Sequence, residues 1–234
     1  MTEIHCVDFV AGAREARGLV VVIDVFRAFS LAAHAMARGA ARIWPVADID
    51  TALELKRHHP NAILLGERFA KPLPGFDGGN SPTDLERVDV VGRTLIHTTH
   101  AGTQGLTAAS LADEVITGAL VNAGAIVQYI RQRSPERVTL VRMGQHATER
   151  CEEDDACADL IARRLNGEAV DTAQVRDRLR HAPSAAKFFD PACDWAPERD
   201  FELCTQFDAF DFVLKLDRSV DPHTLVKIPV HPPC

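Results

Sequence analysis

The stretch LVVVIDVF at Leu19–Phe26 is the segment from which the fold is predicted. Six of its eight residues are aliphatic. A short run that is apolar throughout, rather than alternating, is typical of a strand buried on both faces of a parallel sheet. The alanine-rich stretch Ala28–Arg38 follows it and predicts a helix that ends at Gly39. These two segments therefore predict a strand–helix unit.

The same alternation continues along the chain. Further strands are predicted at Arg42–Val46, Ala62–Gly66, Thr94–Thr98, Glu114–Gly118 and Arg137–Arg142. Further helices are predicted at Ile49–His59, Thr103–Ala112, Asn122–Arg133 and Glu152–Leu165. Alternating strands and helices predict an α/β fold in layers, with a mostly parallel sheet flanked by helices, in a single domain of residues 1–234.

The series strand–helix–strand–helix–strand occurs twice, over residues 19–68 and 94–144. We interpret this as an internal duplication of a β-α-β-α-β unit. Any doubly wound α/β chain would show the same order of elements, so that alternative stays open.

The C-terminal extension, residues 166–234, has a different character. Its polar stretch Asp171–Arg199 predicts a mobile segment, and the apolar runs Phe210–Leu216 and Thr224–Val230 predict additional strands at an edge of the sheet.

Composition limits the partners of the chain. The formal net charge of −7 argues against a basic nucleic-acid surface, and no apolar run is long enough to cross a membrane. The first residues lack the pattern of a signal peptide, which predicts a cytoplasmic protein. Free thiols are then expected at all six cysteines, Cys6, Cys151, Cys157, Cys193, Cys204 and Cys234. The sequence leaves open whether the protein is a homo-oligomer.

Polar residues follow several of the predicted strands. Because ligands of open α/β sheets bind beyond the carboxyl ends of the strands, these are the candidate functional residues. Asp24 and Arg27 end the first strand and could hold a metal ion and a phosphate group respectively. A structural Asp–Arg pair that caps the next helix is the alternative.

The segment from Gly66 to Pro82 is the densest group of such residues. Its glycines and prolines predict a long ordered loop without helix or strand, and loops of this length are usually functional. Glu67 and Asp77 are candidate Mg²⁺ ligands, Arg68 is a candidate phosphate ligand, and the glycines around Gly78 allow backbone N–H groups to approach an anion. An ordinary surface loop is the alternative.

Two further segments complete the set. Thr98, Thr99, Gly102 and Thr103 lie between a strand and a helix and form a candidate anion cradle, although Thr103 could serve only as a helix cap. His97 and His100 are candidate acids or bases, although a single histidine is more often structural.

Glu153 and Asp154 begin the helix Glu152–Leu165 and adjoin its apolar stripe, so both are expected to point inward. Buried carboxylates are costly without a partner, and a metal ion would provide one.

Known phosphate-binding patterns test this interpretation. The chain has neither a G-x-x-x-x-G-K-[ST] loop nor a G-x-G-x-x-G turn. Both Cys-x5-Arg spacings lie in unsuitable contexts, one within a helix and the other among prolines and acidic residues. Metal-assisted hydrolysis by carboxylates and arginines is the chemistry that remains.

Five segments, in this order, resemble one family. They are Val22–Ala28, Gly66–Arg68, G-F-D-x-G-N-S-P at Gly75–Pro82, T-T-x-x-G-T at Thr98–Thr103 and E-D-x-x-C-A at Glu153–Ala158. Together they resemble the Mg²⁺-dependent 2-phosphosulfolactate phosphatases, whose namesake activity serves coenzyme M biosynthesis. The G-F-D-x-G-N-S-P segment is the most specific part of this resemblance.

The resemblance implies a phosphatase that uses Mg²⁺ and acts on a small anionic phosphorylated substrate. With the residue chemistry above, it gives Asp24, Arg27, Glu67, Arg68 and Asp77 as catalytic candidates. The substrate-binding candidates are Arg27, Arg68, Gly78, Asn80, Ser81, Thr98, Thr99, Gly102 and Thr103. The metal-binding candidates are Asp24, Glu67, Asp77, Glu153 and Asp154.

The chain also departs from the family pattern at Phe29, Ala101, Gln104 and Gln145, where the resemblance would predict smaller or differently polar residues. Two alternatives therefore remain: a phosphatase for a different phosphomonoester, and a catalytically silent protein that binds small anions on the same fold. A sugar- or nucleotide-binding α/β enzyme is a third, although no nucleotide motif is present.

Overall fold

The computed structural model describes residues 2–230, which contain ten strands and nine α-helices. The strands are β1 (Glu3–Asp8), β2 (Leu19–Ile23), β3 (Arg42–Pro45), β4 (Ile63–Arg68), β5 (Lys71–Pro72), β6 (Thr94–Thr98), β7 (Glu114–Gly118), β8 (Arg137–Arg142), β9 (Phe212–Asp217) and β10 (Thr224–Pro229). The helices are α1 (Phe9–Glu15), α2 (Ala28–Ala37), α3 (Ile49–His58), α4 (Pro82–Leu85), α5 (Gly102–Ala108), α6 (Ala123–Arg133), α7 (Glu152–Leu165), α8 (Thr172–Arg180) and α9 (Glu198–Cys204).

All ten strands form one sheet in the order β1-β8-β2-β7-β9-β10-β3-β6-β4-β5. Two groups within it are parallel: β1, β8, β2 and β7 form one, and β3, β6 and β4 form the other. The hairpin of β9 and β10 joins the two groups through antiparallel pairings. The predicted α/β class with a mostly parallel sheet is confirmed.

The two predicted repeats are interleaved in this sheet. The first strand of one series, β2, lies between β7 and β8 of the other, and β6 lies between β3 and β4. Each parallel group thus takes its central strand from the opposite series. The duplication itself stays a prediction.

The side chains of β2 are buried on both faces of the sheet. Its side chains alternate between two apolar layers, because successive residues of a strand point to opposite faces. Val20 and Val22 pack in one layer with α2 and α5, whereas Val21 and Ile23 pack in the other with α6 and α7. Every residue of β2 is buried, as the apolar run predicts.

The C-terminal extension differs from its prediction in two ways. Its apolar runs form β9 and β10, which lie in the interior of the sheet and not at an edge. Consecutive residues Val213 and Leu214 are both fully buried, which requires cover on both faces of β9. The polar stretch is also structured, since it contains α8 and a 3-10 helix at Pro183–Phe188 and leads into α9. Phe188 and Phe201 anchor it in the apolar layer.

The loop after β4 is shorter than predicted. Strand β4 extends to Arg68 and turns back into β5, with Glu67 opposite Pro72 and Arg68 opposite Lys71. The prediction of no strand between Gly66 and Pro82 was therefore wrong for residues 66–68 and 71–72.

Cys6, Cys151, Cys157, Cys193 and Cys204 are free thiols, as predicted; Cys234 lies outside the described residues. Within residues 2–230, no helix combines the length and the apolar character needed to span a bilayer.

The interior position of β10 can be tested by truncating a side chain. Leu225 is fully buried and pairs with Ile43 of β3 and Leu216 of β9. Leu225→Ala should lower the free energy of unfolding by about 2–5 kcal/mol, because it leaves a cavity in the core. The matched control Leu111→Ala changes a half-exposed leucine and should cost less than about 0.5 kcal/mol. Equal effects in urea unfolding would contradict the interior position.

Candidate active site

A cavity of about 210 Å³ lies where the loops that follow β2, β4, β6 and β8 meet. Asp24, Phe69, His100 and Gly144 represent these four loops in its wall. The first turn of α7 and the 3-10 helix at Pro183–Phe188 complete it. Residues that follow the carboxyl ends of four strands therefore line one cavity.

These four loops follow strands of both parallel groups, β2 and β8 in one and β4 and β6 in the other. Three successive antiparallel pairings separate β7 from β3, so the two parallel groups run in opposite senses. In a flat sheet their carboxyl ends would lie at opposite edges. A twist of roughly 20–25° per strand accumulates to more than a right angle over the five steps from β2 to β6. The loops after β6 and β2 do meet, since a Cβ atom at Gly102 would lie 2.8 Å from Oδ2 of Asp24.

Four buried carboxylates line the cavity: Asp24, Glu67, Glu153 and Asp154. Asp24 accepts a hydrogen bond from the backbone N–H of Ala28 at 3.2 Å. Asp154 accepts one from Val25 at 2.9 Å and one from Gly144 at 2.8 Å, so it joins the loops after β2 and β8. The predicted inward orientation of Glu153 and Asp154 is confirmed, whereas Glu152 and Asp159 on the same helix are exposed.

The crowding of these groups changes their protonation. Burial, reinforced by the negative charge of Glu67, raises the pKa of Asp24 to about 7. Burial also raises the pKa of Glu153, and burial with the charge of Asp24 raises the pKa of Asp154. Negative charge is therefore unfavourable here without a cation.

Glu67 lies in the same wall, and each of its carboxylate oxygens accepts a hydrogen bond from a backbone N–H group. Oε1 accepts the backbone N–H of His100 at 2.6 Å, and Oε2 accepts that of Ala70 at 2.7 Å. Glu67 thus holds the turn after β4 against the loop after β6.

Asp77, Gly78 and Arg68 lie outside the cavity lining. Asp77 is exposed, forms a 2.7 Å salt bridge with Lys56 and accepts the backbone N–H of Leu64 at 2.8 Å. The Gly78 carbonyl accepts the N–H of Gly66 at 3.1 Å. These contacts attach the loop to β4, so Asp77 does not join the other predicted metal ligands.

The half-buried Arg68 side chain is used within the fold. It donates to the carbonyls of Glu67 and Ala47, and to Oγ1 of Thr98 at 3.0 Å. Burial lowers its pKa. Arg68 therefore holds the ends of β4 and β6 together, and it is not among the residues that line the cavity.

Arg27 lines the cavity and forms a buried ion pair with Asp200. Its guanidinium donates to Asp200 at 2.6 Å and to the carbonyls of Trp195 and Ala70 at 2.8 and 3.0 Å. The other oxygen of Asp200 accepts from Ser81 Oγ at 2.8 Å and from Thr83 N at 2.9 Å. The alternative of a structural Asp24–Arg27 pair was wrong, because Arg27 pairs with Asp200 and Asp24 accepts the N–H of Ala28.

Of the remaining predicted residues, one lines the cavity and the others form hydrogen bonds at the starts of nearby helices. Asn80 lines the cavity, and its Oδ1 lies 2.9 Å from Nε2 of buried His97. Ser81 caps α4. Thr99 and Thr103 exchange hydrogen bonds at the start of α5.

Gly102 has a steric role beside Asp24. A Cβ atom at this position would lie 2.8 Å from Oδ2 of Asp24 and 3.0 Å from the ring of Phe29. Only a glycine therefore allows the start of α5 to approach Asp24 this closely.

Sequence comparison agrees with this architecture. A model of the family described as 2-phosphosulpholactate phosphatase matches residues 5–219. The chain belongs to the 2-phosphosulfolactate phosphatase family. A probable 2-phosphosulfolactate phosphatase of Bacillus subtilis is 29% identical over 209 residues, covering 89% of this chain and 91% of the relative. Probable 2-phosphosulfolactate phosphatases of Clostridium tetani and Thermotoga maritima are 31% and 32% identical, over 83% and 86% of this chain and 87% and 89% of their own lengths.

The four departures from the pattern of the 2-phosphosulfolactate phosphatase family occupy different places. Ala101 and Gln145 line the cavity, whereas Phe29 is buried in the core. Gln104 donates to the carbonyl of His100 at 2.8 Å and is not a lining residue. The changes at positions 101 and 145 are therefore the ones that alter the cavity wall.

Several lining residues were missed from the sequence: Phe69, His146, Cys151, Ser184, Lys187 and Trp195. The rings of Phe69, His100 and His146 pack against one another in tilted and edge-to-face orientations at one side of the cavity, with centroids 4.7–5.5 Å apart. The other four flank α7 or lie in the stretch that was predicted to be mobile. No local pattern marked them, because their place depends on packing across the chain.

The donor set of the cavity fits a hard divalent cation such as Mg²⁺. Such ions prefer carboxylate oxygens, and Asp24, Glu153 and Asp154 all line the cavity. Each oxygen of Asp154 accepts one backbone N–H and keeps a second lone pair. Ligand atoms of Glu153, Asp154 and Cys151 lie within 4.8 Å of one another.

Removing one partner of the Arg27–Asp200 pair should destabilise the protein strongly. Both side chains are at least 98% buried, being 2% and 0% exposed, so Asp200→Ala leaves an uncompensated charge. We expect the free energy of unfolding to fall by about 3–5 kcal/mol. Arg199→Ala, which removes an exposed pair with Glu86, should cost less than about 1 kcal/mol. Similar losses in the two variants, measured by denaturant unfolding, would refute this role.

His97, which is hydrogen-bonded to Asn80, should make the free energy of unfolding depend on pH. Burial lowers the pKa of His97 from 6.5 to about 4, so the folded protein resists a proton that the unfolded chain accepts. Stability should therefore decrease as the pH falls from about 6.5 to about 4, by up to about 3 kcal/mol. The matched variant His97→Gln does not titrate and should show a shallower decrease. Identical pH profiles of unfolding would exclude the effect.

Proposed function

We propose that this protein is a Mg²⁺-dependent phosphatase that hydrolyses a small acidic phosphomonoester, with 2-phosphosulfolactate as the foremost substrate. Membership of the 2-phosphosulfolactate phosphatase family supports the reaction class. The products would be sulfolactate and phosphate. The proposal includes the cytoplasmic location and the link to coenzyme M biosynthesis expected from the sequence.

One observation carries the proposal: Asp24, Glu153 and Asp154 are buried around one small cavity. Burying charge without a partner is costly. Their raised pKa values show that the protein alone does not offset that cost. A divalent cation between them would replace mutual repulsion with attraction.

In this proposal Asp24, Glu153 and Asp154 hold the metal ion. When bound, Mg²⁺ supplies Lewis acidity that polarises phosphoryl oxygens. Gly144 and Val25 keep Asp154 in place through their N–H groups. Glu67 orders two loops of the wall and thereby positions the ring of His100 at the cavity.

Arg27 is the proposed phosphate ligand. Three of its five N–H groups are used by Asp200, Trp195 and Ala70, which leaves two for an anion. The buried pair with Asp200 fixes the guanidinium plane, so binding costs little side-chain entropy. Arg68 and Asp77 act in this account through the loops that they hold.

A phosphatase for a different phosphomonoester is the second candidate. Ala101 and Gln145 replace residues expected from the family pattern, and both line the cavity. They alter contacts with the organic part of a substrate, whereas the three carboxylates and Arg27 are retained.

Phosphate release is the direct test of this function. The protein should release phosphate from 2-phosphosulfolactate with Mg²⁺ and lose that activity in excess EDTA. Asp24→Asn should lower kcat/KM by about 100-fold or more, since it removes a charge from the metal site. Asp159→Asn on the exposed side of α7 is the matched control and should act like the wild type.

Three other results of this assay would contradict part of the proposal or favour an alternative function. Full activity in EDTA would refute the metal requirement. Turnover of another phosphomonoester in preference to 2-phosphosulfolactate would favour the second candidate. Thermal stabilisation by sulfolactate without turnover of any phosphomonoester would indicate a silent anion-binding protein.

A further inference from the structure

Two basic side chains, Arg27 and Lys187, line the cavity. They differ in how they are partnered. Arg27 is held by the carboxylate of Asp200 and by two carbonyls. Lys187 forms no salt bridge or hydrogen bond with any residue in the described range 2–230.

The position of Lys187 is fixed by the 3-10 helix at Pro183–Phe188. Residues three apart lie on one face of such a helix, so Ser184 and Lys187 both face the cavity. Ser184 donates a hydrogen bond to Glu153 at 2.5 Å, which attaches this face to the carboxylate cluster. On the opposite side, buried Ala185 and Phe188 anchor the helix in the apolar layer.

Two aromatic rings support the ammonium group. Nζ of Lys187 lies 5.2 Å from the ring centroid of Phe188 and 5.8 Å from that of Phe26. These two rings pack edge to face at 5.0 Å. Cation–π contacts orient the ammonium but supply no hydrogen-bond acceptor, so its three donors remain available to a ligand.

Two other half-buried lysines of this chain form salt bridges with carboxylates. Lys56 pairs with Asp77 at 2.7 Å, and Lys215 pairs with Glu114 at 2.8 Å. Lys187 lies in the cavity without such a pair, although its positive charge opposes the effect of burial on Glu153. An ammonium group held in this way is suited to an anionic ligand.

We propose that Lys187 binds a second anionic group of the substrate, distinct from the phosphate, and so selects phosphomonoesters that carry a carboxylate or sulfonate. This inference rests on the proposed phosphatase function and adds a specificity-determining residue to it. The physical reason is charge: a polyanion entering an acidic cavity needs a cation for each acidic group that the metal and Arg27 do not neutralise.

The test compares two substrates that differ in their acidic groups. 2-Phosphosulfolactate carries a carboxylate and a sulfonate beside the phosphate, whereas isopropyl phosphate has neither. With Mg²⁺, Lys187→Met should raise KM for 2-phosphosulfolactate by roughly 10- to 100-fold, the loss expected for one charge-assisted hydrogen bond. Its KM for isopropyl phosphate should stay within about twofold of the wild type. Lys187→Arg should restore part of the affinity.

Lys227→Met is the matched control. Lys227 also lies over an aromatic ring, 4.5 Å from the centroid of Phe212, but on β10 and outside the cavity lining. Its substitution removes the same charge and the same kind of contact, and KM should not change for either ester. Equal losses of Lys187→Met on both esters would overturn the proposal, because the lysine would then act only on the phosphate or on overall charge.

A binding measurement separates this inference from the failure of the proposed function. Sulfolactate retains both acidic groups and lacks the phosphate, so calorimetry reports its binding without turnover. If wild type binds sulfolactate and Lys187→Met binds it roughly 10-fold or more weakly, the assignment holds even if no ester is hydrolysed. If both bind it equally, or neither binds it, the assignment is wrong.

Discussion

The buried ion pair between Arg27 and Asp200 is the interaction on which the rest of the site depends. Its two side chains lie 173 positions apart in the sequence and meet at 2.6 Å, shielded from solvent. A buried charge is tolerated only when its hydrogen-bonding capacity is used. The carboxylate of Asp200 accepts hydrogen bonds from Ser81 and Thr83 as well as from Arg27. One carboxylate thus joins the loop after β2, the loop before α4, and α9.

The consequence is a cavity built by distant parts of the chain. With α9 attached to Arg27, the preceding 3-10 helix is placed over α7, where Ser184 bonds to Glu153. Carboxylates from the loop after β2 and from α7 then line one cavity. Their raised pKa values are the electrostatic cost of that arrangement, and the proposed metal ion offsets it. The fold therefore concentrates carboxyl groups at the point where we propose that a dication binds.

The sequence predicted those features that local patterns encode. The apolar run of β2 indicated a strand buried on both faces, and helical periodicity placed Glu153 and Asp154 inward, on the correct side of α7. Features set by long-range packing were missed. Asp77 resembles a metal ligand in its motif, yet Lys56 and Leu64 already bind its carboxylate. Nothing local showed that β9 and β10 insert between the two parallel groups, or that Lys187 returns to the cavity.

The central claim is that Asp24, Glu153 and Asp154 form the metal site of a phosphatase. Anomalous diffraction from crystals soaked in Mn²⁺, a substitute for Mg²⁺ with the same preference for oxygen ligands, tests it most directly. The account predicts one anomalous peak in the cavity, within roughly 2.0–2.6 Å of carboxylate oxygens from these three residues. A peak bound instead at Asp77, or a cavity without any bound Mn²⁺ at saturating concentration, would contradict it.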